Sequence, residues 1–283
     1  MEKILVTGAN GQLGSELSLL SSNYPQFQWF FADRTIITLD SLDLLKVQLN
    51  DIKPSIILNC GAYTAVDKAE TEKELANVIN HLAVEVLAKY AAKYAVKLIH
   101  VSTDYVFDGI SSVALDEEAP TKPINVYGTT KRAGEIVCLQ ENSNAIIIRT
   151  SWVYSKFGNN FVKTMQRLMQ ERDSISVVND QIGSPTYAAD LAQAMIQIIS
   201  SEKWISGIYN YSNEGEISWY EFALVIKDIG GYNCEVNGIP SSAYPTPAKR
   251  PSFSLLNKNK IKRIYGIEVP NYKESLKKML AQL

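Results

Sequence analysis

The first fourteen residues constrain this chain more than any other stretch. The apolar run Ile4-Leu5-Val6 leads into Thr7-Gly8-Ala9-Asn10-Gly11-Gln12-Leu13-Gly14, and residues with helical spacing follow as far as about Leu20. Glycine accepts backbone angles and close approaches that a Cβ forbids, so Gly8, Gly11 and Gly14 let a strand turn tightly into a helix. The unpaired N–H groups at such a helix start favour an anion, above all a pyrophosphate. The spacing is Gly-x-x-Gly-x-x-Gly rather than the commoner Gly-x-Gly-x-x-Gly, and glycines alone mark only turns. The strand before them and the helix after them supply the context of a dinucleotide site.

The elements that follow alternate. Residues 28–32 and 55–59 read as strands, the second entered after Pro54, which cannot continue a helix. Within 75–95, Leu75, Val78, Ile79, Leu82, Ala83, Val86 and Leu87 recur at helical spacing. Val96-Lys97-Leu98-Ile99-His100-Val101 is a fourth strand, and 145–148 a fifth, after a helix that carries Tyr127. Strands separated by helices imply parallel crossovers and helices on both sheet faces. Near Arg149 the text changes, and Asn, Gly, Pro and aromatic residues become frequent. Residues 159–171 and 188–200 read as helices and 175–178 as a strand, and from Ser206 short elements alternate with turns at Pro240, Pro245, Pro247 and Pro251. The expected class is α/β: a Rossmann-type doubly wound parallel sheet with a smaller C-terminal substrate-binding lobe. The expected division gives 1–148 plus about 176–205 to the dinucleotide-binding domain, and about 149–175 plus 206–283 to the second lobe.

Two more features give the turn a chemistry. Asp33, at the end of the second strand, can bind the ribose hydroxyls of NAD and repels a 2′-phosphate, whereas Arg34 beside it can pair with that phosphate, so NADH and NADPH both stay open. Ser102-Thr103 ends the fourth strand, and Tyr127 and Lys131 stand four residues apart, on one face of a helix. Ketone reduction needs a proton donor as hydride arrives. A free phenol has a pKa near ~10, and a neighbouring ammonium favours its phenolate. Tyr127 is therefore the expected proton donor, and Lys131 tunes it and holds the nicotinamide ribose. Thr103 hydrogen-bonds the carbonyl or positions the phenol. Tyr-x-x-x-Lys by itself is a common helical accident; the glycine turn and Thr103 make it a site.

Composition excludes several classes. Lys plus Arg number 28 and Asp plus Glu 30, a net charge of −2, which offers no general attraction to nucleic acid or to a membrane surface. The run Lys258, Lys260, Lys262, Arg263 reads as a solvated face. No run of apolar residues is long enough for a spanning helix, and Met1-Glu2-Lys3 passes into the first strand without signal-peptide architecture. Cys60, Cys138 and Cys234 are far apart and odd in number, as suits reduced cysteines of a cytoplasmic protein. His81 and His100 read as structural, and no Cys/His cluster has metal-site spacing.

With these pieces joined, the chain resembles the dTDP-4-dehydrorhamnose reductases, a family of extended short-chain dehydrogenases/reductases, almost end to end. The most specific stretches are Ala62-Tyr63-Thr64-Ala65-Val66-Asp67-Lys68-Ala69-Glu70, Ser102-Thr103-Asp104-Tyr105-Val106-Phe107, Asn125-Val126-Tyr127-Gly128 and Arg149-Thr150-Ser151-Trp152-Val153-Tyr154. Further on are Gly158-Asn159-Asn160-Phe161, Asn179-Asp180-Gln181 and Tyr244-Pro245-Thr246-Pro247-Ala248-Lys249-Arg250-Pro251. The resemblance implies NAD(P)H-dependent reduction of the 4-keto group of dTDP-4-dehydro-β-L-rhamnose to dTDP-β-L-rhamnose. It implies cofactor contacts from Gly11, Gln12, Leu13, Asp33, Asp40, Ser41, Ala62, Tyr63 and Thr64, and a sugar-nucleotide side formed by Thr103, Asp104 and Trp152. Arg250 suits the diphosphate by charge and bidentate geometry. Some members bind Mg²⁺ through acids that include a Glu after a Gly-x-Pro-Thr segment; here Gly183-Ser184-Pro185-Thr186-Tyr187-Ala188 runs into Ala189 and Asp190. Glu16 fits another of those acidic positions. The departure argues against a bound metal and a metal-linked dimer, and leaves a homodimer open. Two other readings share these motifs: reduction or epimerisation of another nucleotide sugar, and a non-catalytic regulatory subunit of the methionine adenosyltransferase type.

Overall fold

A computed structural model describes all residues, 1–283. In chain order its first half comprises β1 (Glu2–Thr7), α1 (Gln12–Ser21), β2 (Phe27–Ala32), α2 (Leu42–Ile52), β3 (Ile56–Asn59), α3 (Val66–Ala69), α4 (Lys73–Asn77), α5 (Ala83–Lys93), β4 (Lys97–Thr103), α6 (Val126–Glu141) and β5 (Ile146–Thr150). The second half comprises β6 (Val153–Tyr154), α7 (Phe161–Glu171), β7 (Ser174–Val178), β8 (Ile182–Gly183), β9 (Thr186–Tyr187), α8 (Ala188–Ser200), β10 (Gly207–Asn210), β11 (Ile217–Ser218), α9 (Trp219–Gly230), β12 (Glu235–Ile239), α10 (Asn259–Tyr265) and α11 (Tyr272–Leu280).

Six strands form one sheet in the order β10-β5-β4-β3-β1-β2, with every neighbouring pair parallel. The two-residue alternation of strands explains its burial on both faces. Ile4, Val6, Ile56, Leu58, Ile99, Ile146 and Ile148 enter a core shared with α1 and α8, while Leu5, Ile57, Leu98 and Ile147 enter one shared with α2, α5 and α6. The chain order reverses between β1 and β3, and the C-terminal ends of strands at such a switch point open a crevice for ligands.

A separate core of Val162, Met165, Ile175, Val177, Phe222, Ile226, Leu276 and Met279 organises the second lobe, where β7 pairs with β12. Several boundaries differ from the sequence reading. β7 packs in this core although residues 176–178 were assigned to the first domain, because Ile175 and Val177 alternate toward α9. Residues 207–210, assigned to the second lobe, form the sixth strand of the main sheet, and Ile261 and Tyr265 of α10 pack in its core. α2 is a helix beyond those expected, and it buries Leu45 and Leu49. The helical stretch 75–95 is interrupted by a π-helical turn at Val78–Leu82. Lys258 is no solvated residue: it is 6% exposed and pairs with Glu214 at 3.3 Å, while Lys260 donates to the Ile208 carbonyl at 2.7 Å. No helix is long and apolar enough to cross a membrane.

Candidate active site

The turn after β1 is built by close contact. Gly8 has φ +66°, and a Cβ there would lie 2.8 Å from the Gly61 Cα, at the point where β1 and β3 part. A Cβ on Gly14 would lie 2.4 Å from the Gly8 carbonyl oxygen. Gly11 is the N-cap of α1, no side chain caps it, and its N–H donates to the Gly8 carbonyl at 2.9 Å. The first-turn N–H groups of α1 therefore face a cradle that only glycine leaves open, which fits a dinucleotide pyrophosphate. Leu13 is buried in the main core, so what it can offer a ligand is backbone. Gln12 Nε2 donates to the Val153 carbonyl at 3.2 Å, and its Oε1 accepts from Asn160 Nδ2 at 2.9 Å, so it braces the turn against the second lobe.

Asp33 follows β2. Its carboxylate accepts from the Thr35 hydroxyl at 2.6 Å, from the Thr35 N–H at 2.9 Å and from Asn10 Nδ2 at 3.2 Å, and these bonds hold its pKa below the usual range. Arg34 and Asp40 are exposed, and Ser41 stands at the start of α2. Leu39, just before them, lies against Gly61, where an added Cβ would meet its Cδ1 at 2.7 Å. The 62–64 loop follows Gly61: Ala62 and Tyr63 are half-buried and Thr64 is exposed. The Tyr63 hydroxyl donates to Glu72 at 2.6 Å.

Tyr127 and Lys131 occupy consecutive turns of α6, whose N-cap Asn125 accepts from the Gly128 N–H at 2.7 Å. Gly128 has to be glycine, since a Cβ would lie 2.1 Å from the Tyr105 carbonyl oxygen. The Tyr105 and Tyr127 rings meet edge to face, centroids 5.5 Å apart. Burial pushes the Tyr127 phenol up to about 12; the Thr103 hydroxyl hydrogen-bonds it and opposes this, and the Asp104 charge adds to it. Lys131, expected to lower this phenol, is not among the groups that shift it, because its amino group is turned to the Val101 carbonyl and His100; the phenol holds its proton at neutral pH. Lys131 is 1% exposed, and burial lowers its amino group to about 8, against the opposing pull of Glu135, Cys138 and Cys60. Its Nζ donates to the Val101 carbonyl at 2.6 Å.

Among the residues expected on the sugar side, Thr103 Oγ1 donates to Asp104 Oδ1 at 3.0 Å and accepts the Tyr105 N–H at 3.2 Å. Asp104 is 2% exposed, burial raises its pKa to about 6, and its second oxygen has no partner. Trp152 follows β5 with φ +48°, an angle that costs a bulky residue strain and clusters at functional positions. It stacks on Trp219 with centroids 3.7 Å apart. Arg250 is not a free guanidinium. It makes a two-pronged pair with Asp67, at 2.8 and 3.1 Å, and donates to the Ala248 carbonyl at 2.9 Å. Those bonds draw the 248–250 segment onto the start of α3, and Asn125 Nδ2 adds a bond to the Lys249 carbonyl at 2.7 Å.

The acids considered for a metal are otherwise engaged. Glu16 Oε1 accepts from Ser155 at 2.6 Å, and Asp190 Oδ2 accepts from Asn213 and from Ser275. Among residues that the sequence reading passed over, Asn80 is the most consequential. It lies in the π-helical turn, 1% exposed; its Oδ1 accepts the Tyr63 N–H at 2.8 Å, and its Nδ2 donates to the Tyr63 carbonyl at 3.1 Å and to Thr130 Oγ1 at 3.2 Å. One side chain so joins the 62–64 loop to α6. Glu135 is the second such residue: it accepts both prongs of buried Arg149 at 2.8 Å each and locks α6 onto β5.

Residues 1–283 match the family model described as the RmlD substrate binding domain. The chain is 40% identical over 291 residues to the dTDP-4-dehydrorhamnose reductase of Aggregatibacter actinomycetemcomitans, with 99% of each chain covered. It is 41% identical over 287 residues to that of Sinorhizobium fredii, covering 98% of this chain and 96% of that one. Among solved structures it resembles the dTDP-4-dehydrorhamnose reductase of Bacillus anthracis in complex with NADP, with a TM-score of 0.94, 38% identity, and 100% and 99% of the two chains covered.

Proposed function

The chain belongs to the RmlD substrate binding domain family, whose curated relatives include dTDP-4-dehydrorhamnose reductases, and on that premise we propose that it reduces the 4-keto group of dTDP-4-dehydro-β-L-rhamnose at the expense of NADPH or NADH. It is an NAD(P)-dependent oxidoreductase acting on a dTDP-linked sugar. The observation that carries the reading is the hydrogen bond between Thr103, at the C-terminal end of β4, and Tyr127 of α6, with Lys131 one helical turn on, in a fold whose first strand ends in the glycine cradle of Gly8, Gly11 and Gly14.

The nicotinamide, when bound, supplies the hydride. Everything else falls to this chain. Tyr127 keeps its phenol protonated at neutral pH and gives that proton to the oxygen of the former carbonyl. The phenolate left behind is favoured by the Thr103 hydroxyl, and in this reading the Lys131 charge, one helical turn on, adds to it by the general attraction of a cation for an anion. Thr103, fixed by Asp104 and the Tyr105 N–H, points its oxygen at the same place. Trp152, backed by Trp219, offers an apolar wall to the deoxysugar. Arg250 offers its guanidinium to the diphosphate, in competition with Asp67. The reading also places the protein in the cytoplasm, where reduced Cys60, Cys138 and Cys234 belong.

The test is purified protein with NADPH or NADH and the 4-keto-6-deoxy sugar made by the preceding epimerase step, followed by loss of reduced-cofactor absorbance. Turnover with this substrate supports the reading. Turnover only with other keto nucleotide sugars would replace the substrate, and none with any sugar would sink the reaction.

A further inference from the structure

Behind the Tyr127–Lys131 face runs a line of buried polar side chains that the proposed reaction does not use. Thr7, Asn59 and His100 stand side by side on three adjacent strands, because the register pairs Thr7 with Asn59 and Asn59 with His100. Their exposures are 0%, 1% and 0%. Directly paired residues project to the same sheet face, so three polar groups stand in a row inside an apolar interior. The line is continuous. The Gly61 N–H donates to Thr7 Oγ1 at 3.1 Å, and the Thr7 hydroxyl donates to Asn59 Oδ1 at 2.7 Å. Asn59 Nδ2 lies 2.9 Å from His100 Nδ1, and His100 Nε2 lies 3.5 Å from Lys131 Nζ.

Thr7 decides the direction of the line. Its hydroxyl proton has Asn59 as acceptor, so the amide oxygen faces Thr7 and the amide N–H faces the imidazole. Turning the amide over would strand the Thr7 proton in a fully buried place, at the full desolvation cost of an unmade bond. Burial, with the Lys131 charge beside it, holds His100 well below its ordinary pKa, so the ring is neutral. A neutral imidazole that accepts at Nδ1 carries its one proton on Nε2. That N–H is directed at the Lys131 amino group. An ammonium has only hydrogens to offer in return, whereas a neutral amine has a lone pair that accepts.

We propose that the Thr7–Asn59–His100 line is a positioning device for Lys131: it presents an N–H donor to the amino group, favours the amine over the ammonium, and ties that preference to the Gly61 backbone beside the glycine turn. Its consequence for turnover rests on the reductase reading given above. The other titratable groups facing Lys131 are Glu135 and Cys138 on its own helix and Cys60 at the end of β3, and all three favour the ammonium. His100 is the one neighbour on β4 that opposes them. The positive charge of Lys131 supports the Tyr127 phenolate, so activity is lost as pH rises through the lysine's pKa, and His100 sets how close to neutrality that happens.

Two measurements test this. The chain has only two histidines, so ¹⁵N-histidine NMR of the wild type, assigned with His100→Gln, reads the ring directly. A proton on Nε2 with no ionisation from about pH 6 to about pH 9 is expected; a proton on Nδ1 overturns the proposal. His100→Gln can turn a carbonyl oxygen to the ammonium, and is expected to move the alkaline limb of kcat/KM upward by about one pH unit, with NADPH still bound. An unmoved limb in that variant overturns the proposal. If the wild type turns over no keto sugar, the reductase reading fails by itself. The same shift is then read in the pH dependence of the NADPH dissociation constant, where an unmoved midpoint overturns the device.

Discussion

Asn80→Ala isolates what a single buried amide does for the site. The substitution removes three hydrogen bonds, two to the Tyr63 backbone and one to Thr130. At about 0.5–1.5 kcal/mol each, with part of the Tyr63 backbone left to water, the loss sums to roughly 2–4 kcal/mol. For a chain of this size that lowers Tm by about 3–7 °C. The function suffers separately, because the 62–64 loop lies beside Gly61 and loses its fixed link to α6. The NADPH dissociation constant is expected to rise about tenfold, while the dependence of rate on sugar concentration changes little. Asn80→Asp is the control: it keeps an acceptor for the Tyr63 N–H and loses both donors, so it should be no better than the alanine variant. Calorimetry and a fluorescence titration of NADPH give the two readouts. A Tm within about 1 °C of the wild type together with an unchanged NADPH affinity would refute the reasoning, since three buried bonds cannot be lost without a trace.

Tyr127→Phe should lower kcat by about 10²-fold or more while NADPH binding persists, measured by steady-state turnover and titration; equal activity would remove the proton-donor role. Gly14→Ala forces a Cβ to 2.4 Å from the Gly8 oxygen, and should weaken NADPH at least about tenfold with the fold retained by circular dichroism. Arg250→Ala should raise KM for the dTDP-sugar about tenfold or more and leave NADPH affinity alone, because the charged bond it removes is one the diphosphate would make. For Asp104, burial raises the native pKa to about 6 from 3.8. The native state then binds more protons than the unfolded one between these values, so this group makes stability fall as pH rises through that window, by up to roughly 3 kcal/mol. Denaturant titrations across that window should show a shallower fall in Asp104→Asn than in the wild type, the remainder coming from Glu16 and Glu117, which burial also raises.

What could be read from the letters was whatever depends on local pattern. The strand, glycine turn and helix at the N-terminus, the parallel alternation, and the spacing of Tyr127 and Lys131 are all short-range, and the structure has them. The 207–210 strand was missed because Gly207-Ile208-Tyr209-Asn210 is short, and its partner, β5, lies about sixty residues away. Asn80 did leave a signal. It sits on the buried stripe with Ala76, Ala83 and Leu87, and a polar residue on an apolar stripe needs a partner. His100 left none, since one histidine in an apolar strand reads as a core residue until the register puts Asn59 beside it. The engagement of Arg250 by Asp67 was likewise invisible, because the two residues are far apart in the chain and either could have served alone.

The return of β10 to the main sheet bears on how the chain is made. Until residues 207–210 leave the ribosome, β5 is an open edge, and Ile146-Ile147-Ile148 forms a bare apolar template for another nascent chain. Ile261 and Tyr265, which close the same core, arrive later still. A dinucleotide-binding fragment cut near residue 205 would keep every glycine of the turn and still expose that edge to aggregation. The half of the protein that looks self-sufficient on paper is completed only by its last quarter.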